Sequence, residues 1–196
     1  MNTDKIAHIL LNGGVALLPT DTVYGLAASP LFPDAVARIF DLKARPTRQN
    51  LPIMVASVKD MTDMGLAIND AVKKILNSDY VPGDITIVMG FEKEDSSVSW
   101  LKGREEVAVR IPNHADLLTI LEKTGPLMVT SANRHGNPTT PLTIDEVLAD
   151  LNGAPDIAID GGIVLNVPST IINCRVNPPI IERNGRILYE DLLKLL

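Results

Sequence analysis

A mixed α/β fold is the architecture this sequence predicts, and three observations carry that expectation. Short apolar runs bounded by Pro, Gly and polar residues alternate with amphipathic stretches through the first two thirds of the chain. Strand signals then cluster in the last quarter. Of the 196 residues, 45% are hydrophobic and 21% charged, enough apolar material to bury one substantial core. No Gly/Ser- or Pro-rich linker separates two halves, so residues 1–196 are expected to form a single domain. Strands and helices together predict a twisted mixed sheet with helices packed on it.

In chain order, Thr3 or Asp4 is expected to cap a first helix with Ile6, Ile9 and Leu10 inward, stopped by Gly13-Gly14. Val15–Leu18 reads as a buried strand ending at Pro19. A helix starting near Pro33 turns Val36, Ile39 and Phe40 inward. Pro52–Ala56 reads as a second strand, with short helices at Val58–Ala67 and Asp70–Leu76. Ile85–Met89 and Val107–Ile111 are strands flanking a charged, Ser-rich loop, Glu92–Glu105. A helix spans His114–Lys123 before Gly125, and Leu127–Val129 is another buried strand. Thr143 and Glu146 form a capping box. Asp156–Asp160, Ser169–Asn173 and Ile180–Glu182 are strands, and Asn184-Gly185 is a two-residue hairpin signal leading into Arg186–Leu188.

Composition excludes several functions. Net charge is -6, against a surface coated with basic residues for non-specific nucleic-acid binding. The one cysteine, Cys174, allows neither an internal disulfide nor a cysteine zinc site. No signal peptide and no run of about 18 apolar residues is apparent, so a cytoplasmic protein with no membrane contact is expected. The phosphate-loop and dinucleotide fingerprints are missing, Ser131 lacks a nucleophile elbow, and His8, His114 and His135 are scattered; no metal site is expected.

Three polar clusters follow apolar runs. Pro19-Thr20-Asp21-Thr22-Val23-Tyr24-Gly25-Leu26 brings hydroxyls, a phenol and a carboxylate to a strand end, where ligands of α/β sheets bind. In Lys43-Ala44-Arg45-Pro46, proline favours extended geometry at Arg45, which would set an ammonium and a guanidinium side by side for neighbouring phosphates. The third cluster sets the Ser131 hydroxyl and the Asn133 amide on one side of a strand end. Each alone also reads as a plain turn or a solvated helix end. Arg110, alternating with Val109 and Ile111, is either solvated or faces a cleft, and Arg183 precedes the Asn-Gly turn.

Taken in order, PTDTVYGLA, LKARP, VAVRIP, TSANRHGNP, and VPSTII with IERNG resemble the YrdC-like threonylcarbamoyl-AMP synthase family in its short, single-domain form. The stretch Thr47–Pro52 departs in detail from the usual pattern, and Ala27 stands where glycine is common. The resemblance implies a concave, basic cavity within the α/β sheet. It implies an L-threonylcarbamoyladenylate synthase, a nucleotidyltransferase that joins ATP, L-threonine and bicarbonate for tRNA threonylcarbamoyladenosine modification, with Mg2+ held mainly through phosphates. On this resemblance Lys43, Arg45, Ser131 and Asn133 are catalytic. Those four with Arg110 and Arg183 hold ATP, and Thr20, Thr22, Tyr24 and Ser169 line the threonine and carbamate end. Double-stranded RNA or tRNA, and a downstream threonylcarbamoyl-transferase complex, are the implied partners. A same-fold relative that binds RNA or ribosomes, or acts on another carbamoylated adenylate, stays open.

Overall fold

Apolar alternation explains most of the architecture. The computed structural model describes all residues except 46–49, 94–97, 138–139 and 166, and the backbone alone of Leu193. Its elements are α1 (Thr3–Leu11), β1 (Val15–Leu18), β2 (Gly25–Ala28), α2 (Pro33–Leu42), β3 (Ile53–Met54), α3 (Val58–Asp63), α4 (Asp70–Leu76), β4 (Ile85–Met89), β5 (Val107–Arg110), α5 (Ala115–Thr124), β6 (Leu127–Ser131), α6 (Ile144–Asp150), β7 (Ile157–Ala158), β8 (Thr170–Asn173), β9 (Ile180–Arg183) and α7 (Tyr189–Leu195). All nine strands join one mixed sheet in the order β7-β1-β2-β6-β3-β5-β4-β8-β9.

Side chains alternate across a strand, so pairing register decides which residues share a face. Ile53 pairs with Met128 and with Val109, and Ile87 pairs with Val109 and Ile172. These residues therefore lie on one face, which is mostly apolar. Over β1, β2 and β6 it is covered by α2 and α6, through Ile39, Phe40 and Val147. Beyond β3 it is covered by α3, α4 and α7, through Met61, Val72, Ile75 and Leu192. The opposite face is covered only in part: α1 and α5 pack Ile6, Leu10, Leu117 and Ile120 onto Ala16, Leu18, Ala27 and Val129. Past that patch, Thr86, Val88, Ala108, Arg110 and Ile171 line a cleft instead of a helix. The mixed sheet and packed helices agree with the sequence reading.

Local signals fared unevenly. The capping box at Thr143 and Glu146 and the stop at Gly125 form as expected. Asn2, not Thr3 or Asp4, caps α1, accepting from Lys5 N at 3.0 Å. β2, with Gly and two Ala in four residues, has little strand propensity and is not among the strands expected above; pairing on both sides forms it. β3 is two residues, and α3 stops short of Ala67. Asn184-Gly185 does not join two strands. A Cβ at Gly185 would stand 2.4 Å from Pro168 O and from backbone atoms of Ser169 and Thr170, so glycine is there to let two backbones cross. α7 follows instead of a further strand. Pro46, Pro138 and the middle of the Glu92–Glu105 loop, at 94–97, lie outside the described residues; a 3-10 turn, Ser99–Leu101, occupies part of that loop.

Candidate functional site

The uncovered part of the sheet floors a cleft of about 460 Å³. Its apolar floor is Met54, Val88, Ala108, Val129 and Ile171, and its polar wall includes Thr20, Thr22, Arg45, Thr86, Arg110, Ser131, Ser169 and Arg183. Three guanidiniums thus face one concavity, with Glu106 and Glu182 also on its wall.

Each polar group is held by its neighbours. After β1 the chain turns on Thr20, whose hydroxyl donates to Val23 O at 2.6 Å and accepts from Thr22 N and Val23 N. That turn buries Thr22, whose Oγ1 accepts from Arg110 Nη1 at 2.8 Å. Arg110, only 5% exposed, also donates from Nε to Gly83 O at 2.8 Å. Its Nη2 stands 2.9 Å from Asp21 Oδ1 as an ion pair but off the line of a hydrogen bond, so both atoms lack a hydrogen-bond partner among the described residues. Burial pulls the Arg110 pKa down and Asp21 opposes it; the guanidinium stays charged. Across the cleft, Ser169 Oγ lies 2.7 Å from Thr86 Oγ1, and Ser169 O accepts from Arg183 Nη2 at 2.6 Å. Desolvation, and then the nearby Arg110, lower the Arg183 pKa.

Lys43 and Arg45 do not lie side by side on an extended segment. Ala44 takes φ 48°, and Ala44 N and Arg45 N donate back to Asp41 O and Phe40 O at 3.1 and 2.9 Å, closing α2 in a Schellman motif. The reversal throws the two side chains apart. Arg45 enters the cleft, 3.4 Å from Thr130 Oγ1 and over the Phe40 ring. Lys43 is 3% exposed and turned away from the cleft. Its ammonium donates to Ser131 O, to Asn133 O at 2.7 Å and, more weakly, to Asn133 Oδ1 at 3.4 Å. Burial, with Arg45 nearby, brings its pKa down to about 8 although those acceptors favour the ammonium. Truncating Lys43 therefore removes contacts that hold Ser131 and Asn133 as well as a charge.

Ser131 and Asn133 do meet, Ser131 Oγ donating to Asn133 Oδ1 at 2.7 Å, and Ser131 alone reaches the cleft wall. Tyr24 is likewise displaced from its expected place. It is 1% exposed, and its hydroxyl donates to Gly162 O at 2.8 Å and accepts from Gly161 N at 2.9 Å, anchoring the segment that follows β7. Of the ten residues singled out, Thr20, Thr22, Arg45, Arg110, Ser131, Ser169 and Arg183 line one cleft; Lys43, Asn133 and Tyr24 support it from behind. Thr86 was missed. A hydroxyl inside the apolar run Ile-Thr-Ile-Val-Met, on the alternate face, was the signal that could have found it.

The Sua5/YciO/YrdC family model, described as telomere recombination, matches residues 8–185. The chain belongs to this family. A Bacillus subtilis protein named threonylcarbamoyl-AMP synthase is 31% identical over 96% of this chain and 54% of its own length. The crystal structure of Pyrococcus abyssi Sua5 complexed with L-threonine superposes with TM-score 0.87 at 31% identity, covering 99% of this chain and 57% of that one. Escherichia coli YciO shares the fold, at TM-score 0.81 and 24% identity over 94% of this chain and 89% of that one. The chain spans about half the length of the B. subtilis and P. abyssi synthases that it matches. Among the described residues no helix is long and apolar enough to cross a membrane.

Proposed function

We propose that this chain is an L-threonylcarbamoyladenylate synthase, a single-domain nucleotidyltransferase using ATP, L-threonine and bicarbonate. The observation that carries this reading is the convergence of Arg45, Arg110 and Arg183 on one cleft beside the hydroxyls of Ser131, Thr22 and Ser169. Three fixed guanidiniums fit a polyphosphate, and hydroxyls fit a small polar amino acid. Family membership, and the L-threonine complex of the P. abyssi relative, support the same assignment.

The chemistry needs no protein nucleophile. Bicarbonate takes up a proton and loses water to give carbon dioxide, and the neutral threonine amine attacks it and sheds a proton in turn, giving a carbamate. A carbamate oxygen attacks the ATP α-phosphorus in line, the bond to the β-phosphate bridging oxygen breaks, and pyrophosphate leaves. The protein orients the two reactants and neutralises charge on the phosphates. On this reading Arg45, Arg110 and Arg183 meet the phosphates, while Thr20, Thr22 and Ser169 face the threonine and carbamate end. Lys43 and Asn133 act through Ser131, by fixing the end of β6. Magnesium arrives with ATP as part of the substrate. Glu106 and Glu182 are each held by a neighbour, Arg175 and Asn173, so phosphate oxygens carry most of its coordination. The product would pass to a threonylcarbamoyl-transferase complex acting on tRNA in the cytoplasm, and tRNA itself is a candidate partner of the basic cleft.

A second reading, a same-fold nucleotide- or RNA-binding protein without this activity, draws on Lys43 and Tyr24 lying outside the cleft lining. One assay separates them. Purified protein with ATP, magnesium, bicarbonate and L-threonine releases pyrophosphate and forms threonylcarbamoyl-AMP, and Arg45→Ala lowers turnover tenfold or more. Pyrophosphate release unchanged by leaving out threonine rules out the synthase.

A further inference from the structure

Thr86 is a cleft hydroxyl that the proposed chemistry leaves without a task. It lies in β4 between Ile85 and Ile87, both in the core, and strand alternation turns it to the opposite face, onto the cleft. It is 3% exposed, and a hydroxyl so far out of water is costly unless it is hydrogen-bonded. Register supplies the partner. Thr86 pairs with Ile171, and Ser169, two residues before Ile171, lines the same cleft. Ser169 Oγ stands 2.7 Å from Thr86 Oγ1, an ordinary length for an O–H···O bond.

One of the two hydroxyls gives its hydrogen to the other, and their surroundings decide which. Arg183 Nη2 already donates to Ser169 Oγ at 3.1 Å. Were Ser169 to donate to Thr86, the Thr86 hydrogen would have no acceptor among the described residues. With Thr86 as donor, Ser169 Oγ accepts from both Thr86 and Arg183, and its own hydrogen is left for the cleft. Two donors, one of them cationic, also polarise that hydroxyl and strengthen it as a donor. A hydroxyl with both lone pairs filled suits an anion and has nothing to offer an ammonium. We propose that Thr86 is a positioning residue that makes Ser169 a one-way donor to the carboxylate of the amino-acid substrate. This rests on the proposed placing of Ser169 at the threonine end. Thr86 acts through Ser169 and does not itself touch the substrate.

Calorimetric titration with L-threonine, alongside pyrophosphate release, tests this in wild type, Thr86→Val, Thr86→Ser, Ser169→Ala and the Thr86→Val/Ser169→Ala double variant. Thr86→Val keeps the shape but loses the hydroxyl, and L-threonine binding weakens about tenfold. Thr86→Ser restores it. The double variant binds no more weakly than Ser169→Ala alone, because the group through which Thr86 acts is already gone. L-Threoninol, with an alcohol in place of the carboxylate, binds wild type and Thr86→Val alike. The proposal is overturned if Thr86→Val binds L-threonine like wild type, if Thr86→Ser fails to restore binding, or if the two losses multiply in the double variant. It is also overturned if L-threoninol is weakened as much as L-threonine, or if wild type does not bind L-threonine. The synthase reading is judged separately. The expected binding pattern without threonine-dependent pyrophosphate release ends that reading alone, and threonine-dependent release with unaltered binding in Thr86→Val ends this proposal alone.

Discussion

Lys43 decides how firmly the wall behind Ser131 is held. Its ammonium bridges α2 to the carbonyls of Ser131 and Asn133, and truncation leaves those acceptors in a buried pocket without a donor. Charge-assisted bonds of this kind contribute roughly 1.5–3 kcal/mol each, so Lys43→Ala is expected to lose about 3 kcal/mol at pH 7. The pH dependence has a definite sign. The pKa falls from 10.5 unfolded to about 8 folded, so the unfolded chain binds the proton more tightly between those values. Wild type therefore gains stability as pH rises from about 8 toward 10.5, by up to about 3 kcal/mol, and Lys43→Ala lacks that gain. Urea unfolding of both proteins from pH 7 to 10.5 measures both effects; equal stabilities, or parallel pH curves, contradict them. Residue types were legible in the sequence, since Arg45, Ser131 and Arg110 reached the cleft. Directions were not. The reversal at Ala44 depends on a φ of 48° that alanine rarely adopts, and nothing in Lys-Ala-Arg announces it.

Among the elements, the crossing of Asn184-Gly185 over Pro168–Thr170 sets the cleft's far wall. Ser169 and Arg183 flank that crossing and hydrogen-bond to each other, so their positions depend on how closely the two backbones approach. Gly185→Ala must push them apart. Overpacking of this sort costs about 1–3 kcal/mol, and on the proposed function it also weakens ATP binding, because Arg183 moves with the backbone. Melting and nucleotide titration of Gly185→Ala test this together; wild-type values for both would mean the crossing yields freely. The sequence drew attention to Asn-Gly for a different reason, as a hairpin. Local turn chemistry is readable from two residues, whereas a long-range backbone crossing involves partners 15 and more residues away. β2 escaped for the same reason: its neighbours, not its own Gly and Ala, make it a strand.

At the scale of the whole molecule, the two halves of the sheet differ in cover. β1, β2 and β6 are packed between helices on both faces, while β9 is an edge strand whose residues are largely exposed. Hydrogen exchange is expected to be slowest at the amides of β2 and β6 and fastest among the strands at β9. Equal protection in β2 and β9 would mean that the chain opens only as one unit.

The half-covered face has a consequence for how such a protein can change over generations. From β5 to β8, one set of alternate residues carries the core, and the other set, including Thr86, Val88, Ala108 and Ile171, lines the cleft. Mutations in the second set are released from packing constraints, so selection can rewrite what the cleft accepts while the instructions for folding stay intact. Descendants of one ancestor can thus drift to different small molecules by exchanging a few side chains on one side of a few strands.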